Sequence, residues 1–272
     1  MLDRLRQSEA CGKALVAADR EGDAIGFGHI WIASAEEARC FVRVRPAARG
    51  QGAGSDLLRD LVAHARTTGA GVLTLTSWAA DRDAEPLLAA QGFEPVRHFV
   101  QMRIDLADAA APAELPQGIE IRPYRPGPDD DELWHAFTDA FADHWGQAAV
   151  ERGHWWHENR DGDTAGFDAG LWFLAWSGQT IAGFAICRVR EDEGEPIGWV
   201  SLVGVRPRWR GRGLGHALLT RSLAALRTRG LSRAGLSVDA ANTSGALRLY
   251  EKAGMTAYPA FTAWSLDLGG TT

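Results

Sequence analysis

The sequence predicts an α/β protein of two tandem domains, each a mixed, mostly antiparallel sheet flanked by helices, with the N-terminal copy truncated at its front. Three observations carry this. The chain contains one pattern twice: Phe41–Gly54 repeats Leu202–Gly215, and each reads Val-x-Val, Arg-Pro, then Arg-Gly-x-Gly-x-Gly. In each copy a β-branched run ends at a proline, and an amphipathic run follows the glycines, so both read strand, turn, helix. An Ala/Pro-rich seam, Ala107–Gly118, lies between the copies. A repeat this long marks duplicated domains rather than a solenoid. The expected division is 1–106, a linker at 107–117, and 118–272.

The composition sets outer limits. A chain of 272 residues can bury two small cores. A net charge of −6 argues against nucleic acid as the main partner. Cys11, Cys40 and Cys187 are widely spaced, form no metal-binding pattern and fit a reducing compartment, so no metal is expected. No apolar run reaches membrane-spanning length and Met1–Arg6 lacks a signal-peptide core, so a cytoplasmic protein without membrane contact is expected.

Taken in order, Lys13–Ala18 and Ala24–Ala33 read as strands around the turn Asp19–Asp23, and Ala38–Arg45 as the strand before the first glycine turn. Leu58, Leu61, Val62 and Ala65 then share one helix face. The second copy has a longer preface. A strand is expected at Ile119–Arg125 and a helix from about Asp131 to Trp145, with Trp134, Phe137 and Phe141 on its apolar face and acidic residues at its start. His154, Trp155, Trp156 and His157 follow; with Trp145 they either pack the core or line an acceptor pocket. A hairpin is expected from Leu171–Trp176 and Ile181–Arg190, which places Cys187 in the core. Trp199–Val205 is the strand before the second glycine turn, and Leu219, Leu223 and Leu226 share the face of the helix after it. A strand is expected at Ala234–Val238.

A helix start presents unpaired N–H groups and partial positive charge, so a bare glycine turn at that point can seat a phosphate. Arg206, Arg208, Arg210 and Arg212 add charge. The Walker loop is excluded, because no Gly-Lys-Ser/Thr occurs. The dinucleotide fingerprint would need a glycine where His216 or Leu218 stands. Arg210, Gly213 and Gly215 instead form Arg-x-x-Gly-x-Gly. A second signature follows: Asn242, a short helix, Leu249-Tyr250, and Gly254-Met255. Together the two resemble the acyl-CoA loop and the following segment of the GCN5-related N-acetyltransferases (GNAT family), in a tandem two-domain form.

That resemblance implies an acyl-CoA-dependent N-acetyltransferase acting in the C-terminal domain, with acetyl-CoA as co-substrate and the amine of a small molecule as acceptor. It assigns Val203 and Val205 to the pantetheine arm. Arg210, Gly211, Arg212, Gly213, Leu214 and Gly215 go to the pyrophosphate, Asn242 to the cofactor arm or a helix cap, and Tyr250 to protonation of the leaving thiolate. A phenol near pKa 10 is roughly matched to that thiol. Many relatives carry a glutamate base on the strand before the loop. Here Gly198–Leu202 holds no acid, which leaves Glu193 or Glu195 just upstream, or a relay through water and Ser201.

The N-terminal loop keeps Val42, Val44, Arg49, Gly50, Gln51, Gly52, Ala53 and Gly54. Aligned on Gly92 and Gly254, however, it has Leu88 opposite Tyr250 and Ala80 opposite Asn242. It is expected either to bind CoA without transferring an acyl group or to be a structural partner with a relict loop. Two other readings stay open for the whole chain: an acyl-CoA-binding regulatory module with little turnover, and an acetyltransferase of protein or peptide lysines or N-termini. A monomer or homodimer is expected.

Overall fold

The computed structural model describes residues 12–142, 150–162, 166–192, 194–241 and 245–269. Trp145, Glu193 and Asn242, singled out above, lie outside these residues. The described strands are β1 Gly12–Ala18, β2 Ala24–Ile32, β3 Glu37–Val44, β4 Val72–Trp78, β5 Glu94–Asp105, β6 Glu120–Pro123, β7 Trp172–Ser177, β8 Thr180–Asp192, β9 Glu195–Val205, β10 Arg233–Asp239 and β11 Thr256–Asp267. The helices among them are α1 Ala53–Ala65, α2 Ala84–Ala90, α3 Asp130–Phe141, α4 Arg152–Trp156, α5 Leu214–Thr228 and α6 Ala246–Lys252.

The chain forms two compact units that do not follow the linear division at 106–118. The first comprises residues 1–99, 239–241 and 259–272; the second comprises 100–238 and 242–258. Strands β5 and β11 therefore each serve both units. The seam is part of the second unit: Leu106 N–H donates to the Ser232 carbonyl at 2.7 Å and Ala113 N–H to the Thr220 hydroxyl at 3.0 Å.

In the first unit the strand order is β1-β2-β3-β4-β11-β5. The β1, β2 and β3 strands are antiparallel neighbours, whereas β3 and β4 run parallel and pair only from Glu37↔Val72 to Arg39↔Thr74. Beyond that point they part. The final strand completes this sheet, with β11 antiparallel to β4 from Phe261↔Trp78 to Asp267↔Val72. Trp264, Leu266 and Leu268 are buried against Leu58, Leu61, Leu73 and Phe93. The predicted face of α1 is the one that enters this core.

The second unit has the order β5-β10-β9-β8-β7-β6. Pro123 lacks an N–H and lies in the edge strand β6, where no ladder bond is lost. Helix α5 covers one sheet face: Leu219, Leu223 and Leu226 pack on Cys187, Val200, Ala234 and Leu236. Aromatic residues cover the other, among them Phe137, Phe141, Trp155, Trp156, Trp172 and Phe184. Trp155 and Trp156 are thus core, while His154 and His157 are exposed. Helix α3 begins at Asp130, one residue before its expected start.

Candidate active site

The two glycine turns share one geometry. Each follows a short 3-10 turn begun by proline, Pro46–Ala48 or Pro207–Trp209. Each has left-handed glycines at matching positions, Gly50 and Gly52 at φ 72° and 92°, Gly211 and Gly213 at 74° and 83°. A side chain at Gly213 would meet no atom within 4 Å, so the glycine is there for its backbone angle and not for space. Gly215 is different: a Cβ there would stand 2.9 Å from Leu249 Cδ1, so this glycine lets α6 lie on the first turn of α5. The first helical bond of α5 runs from Ala217 N–H to the Gly213 carbonyl at 3.1 Å, which leaves the N–H groups ahead of it for an anion.

Two of the four arginines around this turn shape it through protein contacts. Arg210 donates from Nε to the Val205 carbonyl at 3.0 Å and from Nη2 to the Ala140 carbonyl at 2.8 Å, fastening the turn to β9 and α3. Arg49 repeats the first of these bonds to the Val44 carbonyl at 3.4 Å. Arg206 is paired with Glu132 at 3.0 Å and with Asp139.

Strand β9 leads into the turn. It pairs with the parallel strand β10 only at Gly198↔Ala234 and Trp199↔Gly235, while its other edge pairs with β8 as far as Val205↔Gly183. The two strands part after Trp199, and the β9 edge from Ser201 to Val205 is open toward the fork. The register shifts within it: Ile186 faces Leu202 and Cys187 faces Val200, so Ser201 is the extra residue of a bulge. Its hydroxyl is buried and has no hydrogen-bond partner among the described residues.

Tyr250 lies on α6 and packs, with Val203, against the core cluster under α5. Burial pushes its phenol up to about 12. The turn after α6 is closed by Met255 N–H donating to the Tyr250 carbonyl at 3.1 Å; in the first unit Phe93 N–H donates to the Leu88 carbonyl at 3.0 Å. Leu88 therefore occupies the place of Tyr250 and offers no proton. Glu195 is exposed at the far end of β9, opposite Asp192. Eight residues of extended strand put it about 26 Å from Val203. The structure brings Val203, Val205, the turn and α6 together, but it leaves Glu195 outside that group.

In the first unit the fork between β3 and β4 is a cleft of about 540 Å³. Val42, Val44, Arg49, Gly50, Gly52 and Gly54 line one side, and Leu75, Ser77, Trp78 and Leu87 are among the residues on the other. Arg49 and Asp81, both lining residues, form an ion pair at 3.6 Å. Sequence reasoning missed Asp81. It also passed over Arg188 and Arg190, two cations at alternate positions of β8.

The fold, the forked sheet and the turn define an acyltransferase of one family. The chain matches the acetyltransferase (GNAT) family over residues 1–93 and 131–255. It belongs to that family, in tandem form, and is an acetyltransferase. A mycothiol acetyltransferase of Thermobispora bispora is 40% identical over 233 residues, covering 83% of this chain and 72% of that protein. One of Acidothermus cellulolyticus is 33% identical, covering 96% and 81%. A GCN5-related N-acetyltransferase structure from Sphaerobacter thermophilus superposes with a TM-score of 0.77 at 27% identity, over 98% of this chain and 85% of that one. A tandem GNAT protein from the clavulanic acid biosynthesis pathway shares the fold, with a TM-score of 0.74 at 18% identity over 95% and 83% of the chains.

Proposed function

We propose that the second unit moves an acetyl group from acetyl-CoA to the amine of a small molecule. The observation that carries this is the fork after Trp199, whose open β9 edge runs straight into an anion-binding helix start. An extended pantetheine arm can add to that edge as a strand would, with its pyrophosphate on the N–H groups of residues 211–215. Backbone N–H groups of the same edge would polarise the thioester carbonyl. The neutral amine nitrogen forms the new C–N bond, the C–S bond breaks, and its electron pair stays on sulfur. Tyr250, protonated throughout the working range, delivers a proton to that sulfur. The amine's proton leaves through water beside Ser201, whose hydroxyl is available for the relay. The relatives' names fit a small acceptor.

The test is CoA release from acetyl-CoA over a panel of small amines and peptides, with wild type beside Tyr250→Phe. Amine-dependent release that falls about 100-fold in kcat in the variant, at similar KM, is expected. Equal rates would remove Tyr250 from the chemistry, and release with peptides alone would replace the small-molecule reading.

The cleft of the first unit favours a second reading for that half: CoA binding without turnover, because Leu88 stands where Tyr250 stands in the other copy. The Arg49–Asp81 pair opposes an incoming phosphate. Asp81→Asn is expected to tighten CoA binding to this unit about 10-fold, measured by calorimetry in a chain carrying Gly213→Ala. An unchanged affinity would make the loop a relict.

A further inference from the structure

We infer that Arg188 and Arg190 form a recognition site for an oxyanion, a carboxylate or phosphate, carried by the acceptor. This rests on the transfer reading above, because it names the acceptor of that same site.

The two arginines are two residues apart on β8, so they share one face of the sheet. Arg188 pairs directly with Trp199 and Arg190 with Ile197. The opposite face at this level belongs to α5: a Cβ on Gly198 would stand 2.7 Å from Leu226 Cδ1. Trp199 lies on the arginine side, over Gly235, where a Cβ would meet its ring at 2.8 Å. Trp199↔Gly235 is also the last pair before β9 and β10 part. The Arg190 guanidinium, over the Trp199 ring, thus stands beside the apex of the fork, and Arg188 is the direct strand partner of Trp199. A thioester held along residues 201–203 would be about 7–13 Å further along the strand. That separation fits an amine and an anion on one small molecule.

Their electrostatic state points to a ligand. Several partly buried arginines of this unit are tied down, Arg160 to Asp130 at 2.7 Å, Arg206 to Glu132 at 3.0 Å and Arg103 to Asp192 at 2.8 Å, whereas Arg122 lies alone over Trp176 with its Nε buried and unpartnered among the described residues. Among the described residues, Arg188 and Arg190 make no hydrogen bond or ion pair. Arg190 lies over the Trp199 ring, 3.2 Å from its centroid, with Nε buried and unpartnered. Asp192 and Glu158 act on them only at longer range; Asp192 is engaged by Arg103, and Glu158 by His154 at 3.2 Å. Two partly buried cations with no directly paired carboxylate among the described residues are unfavourable, and an oxyanion with several lone pairs could satisfy both forks. The stacking on Trp199 holds one fork in place beforehand.

The experiment titrates the full-length protein by calorimetry with matched probes: glucosamine against glucosamine 6-phosphate, and glycinamide against glycine. It is repeated in Arg188→Gln, Arg190→Gln and the conservative Arg188→Lys, with CoA release measured in parallel. The anionic member of at least one pair is expected to bind about 10-fold tighter or better, with an advantage that shrinks at high salt. The Gln variants are expected to abolish that advantage and the Lys variant to retain part of it, while acetyl-CoA affinity is unchanged. The pair that shows the effect identifies carboxylate or phosphate. Equal binding within both pairs, an advantage that persists in the Gln variants, or no binding of any probe would overturn the inference. Anion binding without CoA release would leave this site standing and count against transfer to that probe. Release from neutral amines with no anion advantage would do the reverse.

Discussion

Tyr250 shows how burial sets a residue's chemistry. Its phenol is raised from an ordinary value near 10 to about 12, so it holds its proton at every working pH. The pH profile of kcat/KM is therefore expected to rise as the acceptor amine deprotonates and then stay level, with no descending limb below about pH 10. The same shift acts on stability. A native value above the unfolded one stabilises the protein below pH 10, and this contribution is lost as pH rises through 10 toward 12. Alkaline melts of wild type and Tyr250→Phe check it: the wild type should lose stability more steeply in that window. At Gly213, a left-handed backbone angle in open space means that Gly213→Ala is expected to lose about 1–2 kcal/mol to backbone strain. Acetyl-CoA affinity should fall with it, because the N–H groups of the turn would be redirected. A thermal melt with and without acetyl-CoA separates the two effects.

At the scale of elements, β9 is defined by what it fails to pair with. Two ladder positions join it to β10, and the rest of that edge is left for a ligand strand. The bulge at Ser201 re-aims the chain there and keeps Leu202 with the aromatic core and Val203 with α5. Strand β11 is defined by where it goes. Its second half buries Trp264 and Leu266, with Leu268 just beyond, in the core of the first unit, and the Trp264 indole donates to Ser77 at 2.8 Å. Burying three such side chains contributes roughly 5–8 kcal/mol, a large share of a small domain's stability. Ending the chain after Tyr258 is therefore expected to unfold the first unit. Amide exchange should show protection lost across β1–β4 and retained in α5; protection kept in β3 and β4 would contradict this dependence on β11.

At the scale of the whole molecule, the duplication was legible in the sequence because its markers are local. Proline ends a strand, left-handed glycines make a turn, and a leucine stripe makes a helix face; each is set by a few neighbouring residues, and each fell where expected in both copies. The family resemblance rested on the same local motifs. What the chain order could not convey was which distant segments share a sheet. The C-terminal strand sits in the first unit because its alternating apolar residues fill a face that β4 leaves open, and no local rule names that partner. The position of Glu195 was undetermined for the same reason: nearness to the loop in sequence becomes the far end of a strand once β9 is extended. That Arg188 and Arg190 have no hydrogen-bond or ion-pair partner among the described residues is likewise a property of everything packed around them. The sequence alone determined the repeated turns, the helices that follow them and the family. The tertiary structure decided the strand partners, the open fork and the stacking of Arg190 on Trp199 beside it, because pairing and desolvation depend on residues that meet only after folding.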